Sequence, residues 1–169
     1  MTTADITLVR RWRAADERQR LLQVIQPALI GLIDGTISTL APIFATAYIA
    51  GSKAALLVGL AAALGAAISM GMSEGLSDDG AITGRGGALS RGLITGFATF
   101  VGGTAHALPF LISDIDTALT VAYVVVSIEL VAIAWVRKRF LNVALRTSLI
   151  QVTLGGIIVA AVGVLVGHA

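Results

Sequence analysis

The sequence predicts an all-α, polytopic membrane protein with five transmembrane helices, and three observations carry that prediction. The first is composition: 56% of the 169 residues are hydrophobic and 13% charged, where soluble domains carry about a quarter charged residues. The second is length. Apolar runs of about twenty residues, as much as a helix needs to cross a hydrocarbon core of about 30 Å, follow one another with only short polar breaks. The third is pattern: the runs are continuous in Ala, Leu, Val and Gly, whereas a membrane barrel needs short alternating segments.

The expected spans are residues 25–49, 54–76, 92–112, 117–136 and 147–167, so that 25–169 form one five-helix domain. Ahead of them, residues 1–24 read as an amphipathic leader helix on the inner surface. Leu8, Trp12, Ala15 and Leu22 lie near one face, and Arg13 and Glu17 stand four apart as an ion pair would. This segment is not a signal peptide, because its arginines are interleaved with Asp16 and Glu17 and no cleavage site follows. The loop "SDDGAITGRGGALSRG" is short and Gly-rich, with no folded module in it.

Orientation follows from Lys and Arg, which collect in cytoplasmic loops. With the N-terminus inside, eleven of the twelve basic residues fall on the inner side and only Lys53 on the outer. The excess of positive charge thus reports topology and contact with anionic lipid, and no nucleic-acid partner is implied.

Composition also removes chemistries. The absence of Cys excludes disulfides, thiolate metal sites and a thiol nucleophile. There is no phosphate-binding Gly-rich loop, no zinc spacing of histidines, and no Ser, His and Asp set at matching depths. No catalytic residue, no permanently bound cofactor and no enzymatic activity are expected.

Ionisable groups inside a span cost several kcal/mol unless they face a partner or a cavity, which makes them functional candidates. At about 1.5 Å per residue, Asp34 lies roughly 13 Å above the inner face and Glu129 roughly 10 Å. Glu74 falls near the inner rim with Met70 one turn deeper, and His106 lies near the outer side. Asp78 and Asp79 follow Glu74 in the inner loop. Met70 and Glu74, four apart, share a face, while Met72 is rotated away from it. A carboxylate beside a thioether suits borderline ions such as Fe(II) or Mn(II) better than Mg(II). Asp34, Met70 and Glu74 are therefore the primary candidates, and Glu129, His106, Asp78 and Asp79 secondary ones. Glu129 has Gln151 as a potential partner, and His106 has a neighbouring helix.

Glycines repeat at the spacing that allows close helix approach: Gly31 and Gly35 around Asp34, Gly71 and Gly75 around Glu74, and further pairs at Gly80 and Gly84, Gly92 and Gly96, Gly163 and Gly167. The expectation is that the first and second helices approach closely, bringing Asp34 and Met70 around one ion.

"GLIDGTISTLAPIF" in the first span and "ISMGMSEGLS" at the end of the second resemble the vacuolar iron transporter family. "LIDG", "SEGLSDDG", "HALPFLI" and, at residues 150–156, "IQVTLGG" are more similar still to the membrane domain of bacterial membrane-bound ferritins, over residues 25–168. The resemblance implies a five-helix homodimer that moves Fe(II), and also Mn(II), out of the cytoplasm in exchange for protons. It places Asp34, Met70 and Glu74 on the route in a bacterial inner membrane. Two family features are missing from this sequence: the helical metal-collecting domain between the second and third helices, and the N-terminal di-iron domain with its Glu-x-x-His pairs. The alternatives are a non-transporting scaffold that docks a ferritin-like partner, and a small-solute or proton-coupled transporter that binds no metal.

The Cys-free chain makes the expected topology directly testable. A membrane-impermeant maleimide added outside intact cells is expected to label Lys53→Cys and leave Ala81→Cys untouched; the reverse pattern would invert the orientation.

Overall fold

The computed structural model describes residues 15–169, and residues 1–14, with Leu8 and Trp12 of the apolar stripe expected for a leader helix, lie outside the described part. The described chain is all-helical. Exposed helix from Ala15 passes through a π-helical turn, Leu21–Ile25, into α1 (Gln26–Ser38), α2 (Leu40–Ser77), α3 (Ala88–Ala105), a 3₁₀ turn (Leu108–Leu111), α4 (Ile115–Leu141) and α5 (Leu145–Gly167).

Prolines explain the irregularities of the first segment. A proline ring clashes with the carbonyl four residues back and offers no N–H. Pro27 sits at the start of α1, where the preceding turn widens to the π form. Pro42 lies just beyond the α1–α2 junction at Thr39, whose hydroxyl bonds Gly35 O at 2.8 Å. The second break is a glycine. Gly51 takes φ 78° and ψ −177°, outside helical space, and beyond it Gly59 lies beside the Ile43 side chain. Sixteen residues of straight helix would hold those two positions about 24 Å apart, so the chain folds back at Gly51.

Three continuous stretches are long and apolar enough to cross a membrane: Ala15–Ser77, which includes both breaks, Ile115–Leu141 and Leu145–Gly167. They match the positions expected for the first, second, fourth and fifth spans, with the first two running together. The third expected span, 92–112, is interrupted. α3 ends at Ala105, His106 is its C-cap, and the chain turns through Pro109 into the 3₁₀ segment.

The helices alternate in direction. At one end Gln23 reaches the loop of residues 78–87, and Arg137 on α4 bonds Gln151 on α5. At the other, Tyr48 bonds Tyr123 and lies 4.6 Å from the His168 ring. Asp114 caps α4 through Thr117 N–H, and Asn142 closes it in the left-handed conformation.

α3 is the packing centre. A Cβ on Gly31 or Gly35 would overlap the carbonyl oxygens of Thr95 and Thr99 respectively, so α1 meets α3 backbone to backbone. On the opposite side, a Cβ on Gly71 would come within 2.9 Å of Gly92 O, and one on Gly96 within 2.8 Å of Ala67 O. The glycine pairs do mark crossings, but α1 and α2 both seat on α3, whereas the sequence suggested that the first two helices approach each other. Gly163 and Gly167 seat α5 on Ala41 and Ala45. Gly80 and Gly84 have no such role: both lie in the loop with φ of 83° and 68°. The apolar core, including Leu40, Ile43, Phe44, Phe110, Leu130 and Ile133, fills the space toward α4 and α5.

Gly35→Ala is expected to destabilise the protein by about 1–3 kcal/mol, the range for overpacking. Gly65→Ala, at an exposed helical position with nothing within 4 Å, is expected to stabilise it by up to about 1 kcal/mol. Reversible unfolding in detergent micelles distinguishes the two.

Candidate functional site

The candidate residues separate into a charged network at the loop end, a buried dyad, and an unpaired carboxylate. The network forms where α2 ends and α3 begins. Glu74 Oε1 accepts from Arg85 at 2.8 Å and from Arg91 Nε at 3.1 Å, and Asp78 Oδ2 accepts from Arg91 at 3.2 Å. Arg91 Nη2 also donates to the backbone carbonyls of Glu74 and Asp78, both at 3.0 Å. Those carbonyls belong to the C-terminal turn of α2, where helical partners run out and the dipole favours a cation. Arg91 retains only 1% of its side-chain exposure, so this is a buried charge held by two carboxylates and two carbonyls.

Asp78 is tied further by Thr83 and by Gly80 N–H, which with Arg91 hold its carboxyl below the ordinary value of 3.8. Asp79 faces out and bonds only Ala81 N–H of the same turn. Of the three acidic candidates at the inner mouth, Glu74 and Asp78 are thus paired with two arginines, while Asp79 is not. A divalent cation reaches Glu74 here only by displacing one, and Arg85, at 23% exposure, is the looser. Met70 is half-buried one turn away, while Met72 is 59% exposed on another face, as its rotation from Met70 requires.

The dyad lies at the C-terminal end of α3. His106 has no exposed surface; its Nδ1 meets Glu129 Oε2 at 2.9 Å and its Nε2 meets Thr39 Oγ1 at 2.8 Å. Gln151, the partner that the sequence offered to Glu129, bonds Arg137 instead. The two ring nitrogens are both engaged within the protein, so the pair is not arranged as a ligand set for an ion.

Asp34 is half-buried in the middle of the first apolar segment and forms no hydrogen bond or ion pair among the described residues. Its helical neighbour one turn on, Ser38, is exposed, whereas Gly31 and Gly35 face α3. Asp34 therefore stands at the edge of the bundle, beside the α1–α3 seam. No three His, Asp or Glu side chains among the described residues converge closely enough to hold a metal ion. The expected convergence of Asp34 with Met70 does not arise from direct packing of the first two helices, because α3 occupies the space between their glycine faces.

Sequence reasoning missed the roles of Arg85, Arg91 and Thr39. The arginines were legible as topology markers only. Arg91 stands one residue before the expected third span, and it is the start of α3 at Ala88 that draws it into the bundle, where a buried cation requires a counter-charge. Thr39 carried no signal apart from its place three residues before Pro42.

Arg91→Ala is expected to destabilise by about 3 kcal/mol or more, since it leaves Glu74, Asp78 and two carbonyls without their cation. Because the Asp78 carboxyl titrates lower folded than unfolded, its contribution is present above pH 3.8 and disappears as pH falls through the lower folded value. Acid unfolding of Asp78→Asn is accordingly expected to show a shallower loss of stability below that pH than the parent chain; an identical slope would remove Asp78 from the network.

No protein family's profile matches the chain, and no curated protein or solved structure is significantly similar to it. The functional reading therefore rests on the residues and their geometry.

Proposed function

We propose that this protein is a five-span membrane transporter that moves divalent transition-metal ions, Fe(II) or Mn(II), out of the cytoplasm in exchange for protons. The single observation that carries the reading is Asp34, a carboxylate in the middle of an apolar segment with no internal cation or hydrogen-bond donor among the described residues. An unpaired acid at that depth is costly and is kept where it binds something. Two breaks in the long N-terminal stretch support counting it as two passes, and α3 adds a further pass despite its modest hydropathy, which gives five.

The position of Asp34 supports a homodimer. A carboxylate at the bundle edge faces either lipid, which is unfavourable, or a second copy, which would place two carboxylates around one ion. Met70, half-buried at the level just inside Glu74, supplies a polarisable donor along the way, and Glu74 becomes available when Arg85 swings out. Eight described basic residues gather at the loop end and Lys53 at the other, which favours a cytoplasmic loop end in a bacterial inner membrane. The resemblance of "LIDG" and "SMGMSEGLS" to vacuolar iron transporters and membrane-bound ferritins agrees with this reading. In the scaffold alternative, Asp34 would be dispensable.

In liposomes containing the purified chain, Mn(II) influx is expected to fall to the level of protein-free vesicles in Asp34→Asn and to survive in part in Asp34→Glu. Undiminished influx in Asp34→Asn would exclude this route.

A further inference from the structure

Thr39 has one hydroxyl proton and two neighbours at 2.8 Å, Gly35 O and His106 Nε2. A carbonyl can only accept, so the Thr39 proton goes to Gly35 O. The Thr39 N–H turns instead to Ile37 O at the break between α1 and α2, so the hydroxyl takes over a bond that a continuous helix gives to the backbone. Thr39 Oγ1 is then an acceptor, and His106 Nε2 must carry a proton to meet it. The remaining contact, Nδ1 to Glu129 Oε2 at 2.9 Å, needs one further proton shared between the two groups. It rests either on Glu129 beside a neutral imidazole or on His106 beside a carboxylate. Both arrangements leave the pair with zero net charge, the cheapest condition for groups buried this deeply.

We infer that His106 and Glu129 form the proton site of this protein: a dyad that holds one exchangeable proton, loaded and released through Glu129. The direction of access follows from exposure, 11% for the Glu129 side chain against none for His106. Loss of the shared proton leaves one net negative charge, and passage of a cation nearby stabilises that state. Gain of a second proton leaves one positive charge and repels the cation. This makes the dyad the element that exchanges protons against metal, a role that rests on the transport reading; the shared proton itself does not.

No third charged group pairs with the dyad among the described residues. The titratable and charged groups on the helices that carry the dyad or pack against it are Asp34 on α1, Tyr48, Lys53 and Glu74 on α2, Arg91 on α3, Asp116, Tyr123, Arg137, Lys138 and Arg139 on α4 with Asp114 at its cap, and Arg146 and His168 on α5. Tyr48 and Tyr123 bond each other, Asp114 caps α4, His168 bonds Val164 O, and none pairs with His106 or Glu129 among the described residues. Two buried hydroxyls without a partner among the described residues, Thr36 and Thr104, stand three residues before Thr39 and two before His106, able to donate or accept as the charge changes.

Two measurements on the full chain test this. Nitrogen NMR of His106 in lipid nanodiscs is expected to show Nε2 protonated throughout and an Nδ1 resonance that shifts with pH and loses that shift in Glu129→Gln. An Nδ1 signal that ignores the Glu129 substitution, or a bare Nε2, would overturn the shared proton. In liposomes carrying both a pH dye and a metal dye, Mn(II) influx in the parent chain is expected to drive protons outward, and Glu129→Gln and His106→Gln to keep Mn(II) entry down its gradient while losing the proton movement. Proton movement per Mn(II) unchanged in both variants would overturn the coupling role. An absence of Mn(II) and Fe(II) flux in the parent chain would overturn the transport reading alone, leaving the NMR result to decide the proton site.

Discussion

Backbone-to-backbone contact on both sides of α3 is the constraint from which the rest of this molecule follows. In a bilayer the lipid is as apolar as the side chains, so helices associate through close packing and polar bonds instead of hydrophobic exclusion. Glycine at 31, 35, 71, 92 and 96 removes the side chains that would hold the helices apart. With α1 and α2 drawn onto opposite faces of α3, the ends of α3 are fixed against them. Its first turn brings Arg91 under the last carbonyls of α2, and its C-cap brings His106 against the break at Thr39. The two polar clusters are consequences of the same packing.

Charge within the bundle is handled in two different ways. At the loop end, two carboxylates and two arginines cancel, and the buried guanidinium doubles as the cap of α2. In the dyad, cancellation is achieved with one proton, a carrier that can leave. Asp34 belongs to neither arrangement among the described residues, and this asymmetry is what singles it out. The other half-buried acids are neutralised internally, and Asp34 alone is left without a counter-charge among the described residues.

The sequence made the helical class and the location of the apolar segments legible, since span length and uninterrupted apolar pattern depend on the bilayer more than on tertiary detail. Glycine spacing correctly marked helix crossings at four of its five pairs, but not which helices cross, because spacing identifies a face without naming its partner. The partnership of Glu74 was misjudged for a related reason. Helical periodicity placed it beside Met70, while its real neighbours, Arg85 and Arg91, arrive across a turn whose course is set by Gly80, Gly84 and Gly86 in left-handed conformations. His106 and Glu129 were recognisable individually as polar groups in apolar surroundings, and their pairing became visible only once α3 stopped at Ala105 and turned the imidazole inward. The end of that helix was misplaced by several residues because the apolar run continues through Pro109 after the helix has ended.

The proposed exchange of a divalent transition metal for protons requires that a proton gradient drive the metal uphill. Liposomes containing the chain, acidic inside and bathed in equal Mn(II) on both sides, are predicted to accumulate Mn(II) in their lumen until a protonophore collapses the gradient, with Mg(II) left unmoved. Mn(II) held at the level of protein-free liposomes, with or without the gradient, would contradict it.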